Sequence, residues 1–127
     1  MLKEGLTHTC TLTVTHDKTA LAVGSGDLPV LATPAMLALM EQAAMLAVRP
    51  ALTDGQTTVG GHIASSHLRP TALHATVSAT ATLTRIEGRK LHFHVSAREG
   101  DTLIGEGTHL RFIVDRDTFL SRLTSAH

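Results

Sequence analysis

The chain has 127 residues, 43% of them hydrophobic, and its 11 lysines and arginines are balanced by 11 acidic residues. That length suits one domain with one core, and the hydrophobic share excludes a disordered chain. With no basic excess, no Trp, no Tyr and only 3 Phe, the chain lacks both the electrostatic footprint and the stacking platform of a nucleic-acid binder. No apolar run is long enough to span a bilayer. Met1 to Gly5 lack the apolar centre of a signal peptide, and Cys10 has no partner for a disulfide. A cytoplasmic protein is expected.

Residues 6 to 15 place Thr at every second position, with Leu6, Cys10, Leu12 and Val14 on the other face, the period of a half-buried strand. Residues 19 to 32 are irregular, and Gly24-Ser25-Gly26-Asp27 signals a turn or loop. Thr33-Pro34 then opens a helix, with Thr33 as its expected N-cap and Pro34 in the first turn. Residues 35 to 48 are strong helix formers, apolar except for Glu41 and Gln42, and Arg49-Pro50 ends them. Such a helix should be buried on most sides.

Four strands are predicted next, over 56–69, 74–86, 89–98 and 102–114. The second alternates Val77, Ala79, Ala81 and Leu83 with Thr and Ser, and the third alternates Leu91, Phe93, Val95 and Ala97 with polar residues. Glu87-Gly88 and Glu99-Gly100-Asp101 supply the hairpin turns. The tail from Asp115 to Leu123 is a candidate short helix capped by Asp115. One sheet with one apolar face must cover something, and the only candidate is the helix. The predicted fold is therefore α+β: a hot-dog domain over residues 1–127, with a curved antiparallel five-stranded sheet around one apolar helix. Open sheet edges favour pairing with a second copy, so a homodimer is expected.

Glu41 is the first candidate for chemistry. A carboxylate in an apolar helix loses hydration unless it is paired or functional; alternatively, Glu41 and Gln42 form a narrow solvent-facing stripe. Thr33 reads first as a plain cap, yet a hydroxyl at a helix start also suits a nucleophile or a water-binding group. His67 lies near a strand end, and a lone His there, like His62, is more often structural. His92 and His94 share one strand face, about 7 Å apart. Together with His109 or His8 they are the candidate metal ligands, but the spacing matches no metal motif. No metal and no cofactor are expected.

Several stretches resemble the fluoroacetyl-CoA thioesterase family of hot-dog proteins. They are Leu28 to Thr33, Met36 to Ala44 with Leu39-Met40-Glu41, Gly60 to His67, Ile86 to Leu91, and Gly105 to His109 with Arg111. Together they cover most of residues 28 to 114 in the same order. The resemblance implies that Thr33, Glu41 and His67 are the catalytic residues and that Gly60 lines the acyl pocket. It also implies that an acyl-CoA binds between two copies, each contributing to each site. Leu28 takes the position of an aromatic lid, which points to a short-chain acyl-CoA rather than to fluoroacetyl selectivity.

Thioester hydrolysis needs a nucleophile, proton management and a place for an oxyanion. Glu41 is read as activating water or attacking the carbonyl directly, with Thr33 positioning or replacing the nucleophile. His67 orients them or carries the proton to the leaving thiolate. Amides near Gly60-Gly61 or at the helix start are the candidate oxyanion donors. Arg111 is read as structural or carboxylate-pairing. Arg89 and Lys90 are candidate contacts for CoA phosphates, though a solvated charge pair is the more common explanation. The competing readings are a non-catalytic acyl-CoA-binding or sensor protein and a hot-dog enoyl-CoA hydratase or dehydratase.

Overall fold

The computed structural model describes residues 1–125. Five antiparallel strands form one sheet: β1 (Thr7–Thr13), β2 (Gln56–His67), β3 (Thr76–Glu87), β4 (Lys90–Glu99) and β5 (Thr102–Asp115). Their spatial order is β1-β3-β4-β5-β2, which leaves β1 and β2 as the edges. The helices are α1 (Ala20–Val23), α2 (Thr33–Val48) and α3 (Arg116–Ser125). No helix among the described residues is long and apolar enough to cross a membrane.

The alternation in β3 and β4 does what the sequence predicts. Val77, Ala79, Ala81, Leu83, Leu91, Phe93, Val95 and Ala97 are all buried, forming an inner face against α2. The helix answers with Met36, Leu39, Met40, Ala43, Ala44, Ala47 and Val48. Its small alanines allow close approach to the sheet, and its methionines fill the irregular gaps. Burial of α2 is less complete than its composition predicts, because Ala38 and Gln42 remain exposed. Nor do Glu41 and Gln42 form one stripe: Gln42 faces solvent, while Glu41 turns toward the sheet.

Other expectations shift locally. The N-cap of α2 is Ala32, not Thr33, and no side chain caps the helix. The Ala32 carbonyl accepts from both Ala35 and Met36, so the first turn closes without a hydroxyl and Thr33 is free for another partner. The segment read as irregular contains α1, capped by Thr19, whose hydroxyl accepts from the Ala22 amide at 3.2 Å, and ended by Gly24 at φ 90°. Strand β3 begins at Thr76 rather than 74, because His74 adopts φ 75° in a turn that ladder geometry excludes.

The register of β2 on β5 contains the decisive irregularity. Gly60 pairs with Arg111 and His62 with Leu110, so Gly61 is left out as a bulge. A bulge adds one residue to one strand and reverses which residues face inward beyond it. Thr58 and Gly60 share the inner face before it; Ile63, Ser65 and His67 share that face after it.

Candidate functional site

Two polar clusters lie along α2, and they are separate within one chain. The first joins Thr33 to His67. Thr33 Oγ1 lies 2.7 Å from His67 Nδ1. The bulge at Gly61 aims His67 inward at the start of the helix, and the unneeded cap leaves the Thr33 hydroxyl available. His67 Nε2 is buried without a hydrogen-bond partner in the chain. Protonating the ring would place a second N–H on buried atoms, and burial accordingly pushes the His67 pKa below its ordinary value. Thr33 itself is exposed. A cleft of about 340 Å³ opens beside the pair, walled also by Val30, Arg69 and Pro70.

The second cluster surrounds Glu41. Its Oε2 lies 3.8 Å from Arg111 Nη1, and its side chain is 42% exposed against 8% for Arg111. The guanidinium is held from behind. Its Nε donates to Thr58 Oγ1 at 2.8 Å, and its Nη2 donates to the Thr58 carbonyl at 2.9 Å. Burial lowers the Arg111 pKa and the Glu41 carboxylate opposes that shift. Gly60 sits directly against the carboxylate: a β-carbon there would lie 2.8 Å from Glu41 Oε2. The chemistry available here is that of a half-exposed carboxylate beside a fixed guanidinium, at the edge of the sheet.

Glu41 and Thr33 are eight residues apart on an unbroken helix, about 12 Å along its axis at the standard rise. Because Thr33 belongs to the helix, no bend before α2 closes that gap. The structure thus brings Thr33 to His67, and Glu41 to Gly60 and Arg111, but it does not bring Glu41 to the other two within one chain.

The remaining candidates are dispersed. Gly61 presents its Cα to Phe112, whose ring occupies the space a side chain would need. Leu28 is 62% exposed and stands outside the lining of the cleft. Arg89 pairs with Asp115 at 3.8 Å and donates to the Ile113 carbonyl at 3.3 Å; Lys90 lies opposite Phe112. At the start of α2, Pro34 has no amide and the Ala35 and Met36 amides are already bonded to the Ala32 carbonyl, so none of these three residues offers an oxyanion donor. His109 is separated from His92 and His94. It pairs with Phe93 on the inner face, while His92 and His94 lie opposite Leu110 and Thr108 on the outer one. Among the described residues no three His, Cys, Asp or Glu side chains are grouped as metal ligands. The sequence reading missed Thr58 as a partner of Arg111. The available signal was the two-residue spacing of Thr58 and Gly60, which places both on one strand face.

Residues 14–117 match the model of the fluoroacetyl-CoA-specific thioesterase family, FlK. The chain is 38% identical to the fluoroacetyl-CoA thioesterase of Streptantibioticus cattleyicolor over 94 residues, which cover 74% of this chain and 68% of the relative. A crystal structure of FlK superposes with a TM-score of 0.91 at 32% identity, covering 100% of this chain and 98% of that one. An FlK variant solved with fluoroacetate and CoA gives a TM-score of 0.86 at 33% identity, covering 93% and 99%. With the sheet, the enclosed helix and the matched residues all in agreement, the chain belongs to the fluoroacetyl-CoA-specific thioesterase family of hot-dog-fold thioester hydrolases.

Proposed function

We propose that this protein hydrolyses a short-chain acyl-CoA to the free acid and CoA in a composite site built by two copies of the chain. The observation that carries this reading is the Glu41 carboxylate, half exposed, set against Gly60 and Arg111 at the free edge strand β2. In this reading β2 of one copy lies along β2 of the other, and Glu41 of one copy works with Thr33 and His67 of its partner. The 12 Å rise between Thr33 and Glu41 supports that division, since one helix cannot bring both to one thioester carbonyl. Glu41 acts as general base. It takes a proton from water as the water oxygen bonds to the carbonyl carbon; the C–S bond then breaks and the proton passes to the departing thiolate. His67, whose Nδ1 lies 2.7 Å from Thr33 Oγ1, holds the Thr33 hydroxyl in place to orient the water or the thioester. The Gly61 amide, at the bulge in β2, is the donor we assign to the oxyanion.

The same reading places the protein in the cytoplasm, in keeping with a single cysteine. It leaves Leu28 as the residue over the acyl group, and Arg89 and Lys90 as secondary contacts for the CoA phosphates. A panel of short-chain acyl-CoAs with a free-thiol reagent tests the activity. Thiol release is expected. Binding without release would favour a sensor, and loss of an enoyl chromophore without release would favour a hydratase.

A further inference from the structure

His109 and Arg111 are two residues apart on β5, so both project inward, and they are only 1% and 6% exposed. The His109 ring is wedged in place. It lies 6.1 Å, centroid to centroid, from Phe93 of β4. Its Nδ1 lies 2.7 Å from the His62 carbonyl oxygen of β2, and its Nε2 lies 3.2 Å from Arg111 Nη1. A carbonyl only accepts, so Nδ1 must carry the hydrogen. A guanidinium only donates, so Nε2 must offer its lone pair. Both neighbours select the same neutral tautomer. A doubly protonated ring would turn one N–H against another on Arg111. The titratable groups whose charges act on the ring are Arg111 on its own strand, Glu41 from α2 and His62 from β2, the last with its side chain on the outer face; burial is the largest influence and disfavours the charged form.

This arrangement completes the seating of Arg111. Thr58 binds the Nε and Nη2 edge, which leaves Nη1 as the corner that faces Glu41. Thr58 alone would let the guanidinium pivot about that edge. The lone pair of His109 removes the pivot, because it engages the same nitrogen that faces the carboxylate.

We propose that His109 is a positioning residue for the hydrolysis: locked in its Nδ1–H tautomer by the His62 carbonyl, it holds Arg111 Nη1 against the Glu41 carboxylate. The proposal rests on the reading of Glu41 as general base, and it acts through Arg111 rather than by touching substrate.

The test is a set of variants measured for thiol release, with melting curves as controls. His109→Ala is expected to lower kcat about 10-fold or more, the scale of one hydrogen bond to a charged group, with KM little changed. In an Arg111→Met background the same change should cost nothing further, because its route to Glu41 is gone. His109→Gln places an amide oxygen near the lost Nε2 and should retain more kcat than His109→Asn, which restores only the bond to the His62 carbonyl. The imidazole ¹⁵N shifts of the wild-type protein at pH 7 should show a neutral ring protonated at Nδ1. Additive losses in the double variant, Asn equal to or better than Gln, or a ring protonated at Nε2 would each overturn the proposal. If the Ala variant does not fold, the Gln and Asn comparison and the ¹⁵N shifts decide. Wild-type turnover in Glu41→Gln would instead overturn the catalytic reading of Glu41. The ¹⁵N shifts, and faster exchange of the Arg111 Nε–H in His109→Asn than in His109→Gln, would still report whether His109 holds Arg111.

Discussion

Replacing Gly60 with Ala separates rate from stability. Gly60 lies in the β2 ladder and is absent from the positive-φ residues, so the backbone accepts an L side chain. In a strand, Ala is favoured over Gly by roughly 0.5–1 kcal/mol. Against that, the new β-carbon would sit 2.8 Å from Glu41 Oε2, about 0.6 Å closer than an ordinary contact. The atom that must yield is the far end of a flexible side chain, and an off-rotamer Glu costs about 0.5–1.5 kcal/mol. These terms nearly cancel, so the melting temperature should move by only a few degrees. The rate should not be spared. A misplacement of 1 Å costs on the order of 10²-fold, so half that distance implies roughly a 10-fold loss of kcat/KM. Gly107→Ala is the contrast, because its β-carbon would collide with the Ala64 carbonyl and Ser65 Cα, backbone atoms that cannot swing aside. That variant should lose several kcal/mol of stability. The assay is thiol release from acetyl-CoA beside a melting curve. A folded Gly60→Ala protein with wild-type kcat/KM, or a Gly107→Ala protein as stable as wild type, would refute the reasoning.

Glu41→Gln should keep the fold, since Thr58 still binds Arg111 and the ion pair is partly exposed. It should lower kcat/KM by at least about 10², and unchanged kinetics would remove Glu41 from the mechanism. Burial lowers the pKa of both His67 and His109 from the ordinary 6.5. Both are neutral in folded and unfolded chains well above 6.5. Below it, the unfolded chain binds protons the native protein does not, so stability should fall as pH drops from 6.5 toward the lowered values; a melting temperature flat from pH 7 to pH 5 would contradict this. Light scattering at micromolar concentration should return a dimer, and a monomer would defeat the composite site. Leu28, exposed and aliphatic, should give fluoroacetyl-CoA no more than about a 10²-fold preference over acetyl-CoA, the range of one hydrophobic contact; a ratio above about 10⁴ would show that another group makes the selection.

Local pattern determined much of this protein. The period of two in β3 and β4 named the residues of the inner face, and Arg49-Pro50 marked the end of α2, because both depend on neighbours within a few residues. Glu41 was conspicuous for a similar reason, as a carboxylate within a run of apolar helix formers. Arg111 reads as structural or carboxylate-pairing and Gly60 comes only with the family resemblance, but which carboxylate they meet, and how Thr58 and His109 hold Arg111, were not legible. Gly60 and Arg111 meet Glu41, and Thr58 and His109 meet Arg111, only because β2 pairs with β5, a contact between segments some fifty residues apart in the chain. The bulge at Gly61 was equally hidden, since two glycines in a strand allow a bulge but do not require one. That single unpaired residue decides which face His67 occupies and so whether it reaches Thr33. Composition and period set which side chains are buried, whereas the register between distant strands set which polar groups share one buried space.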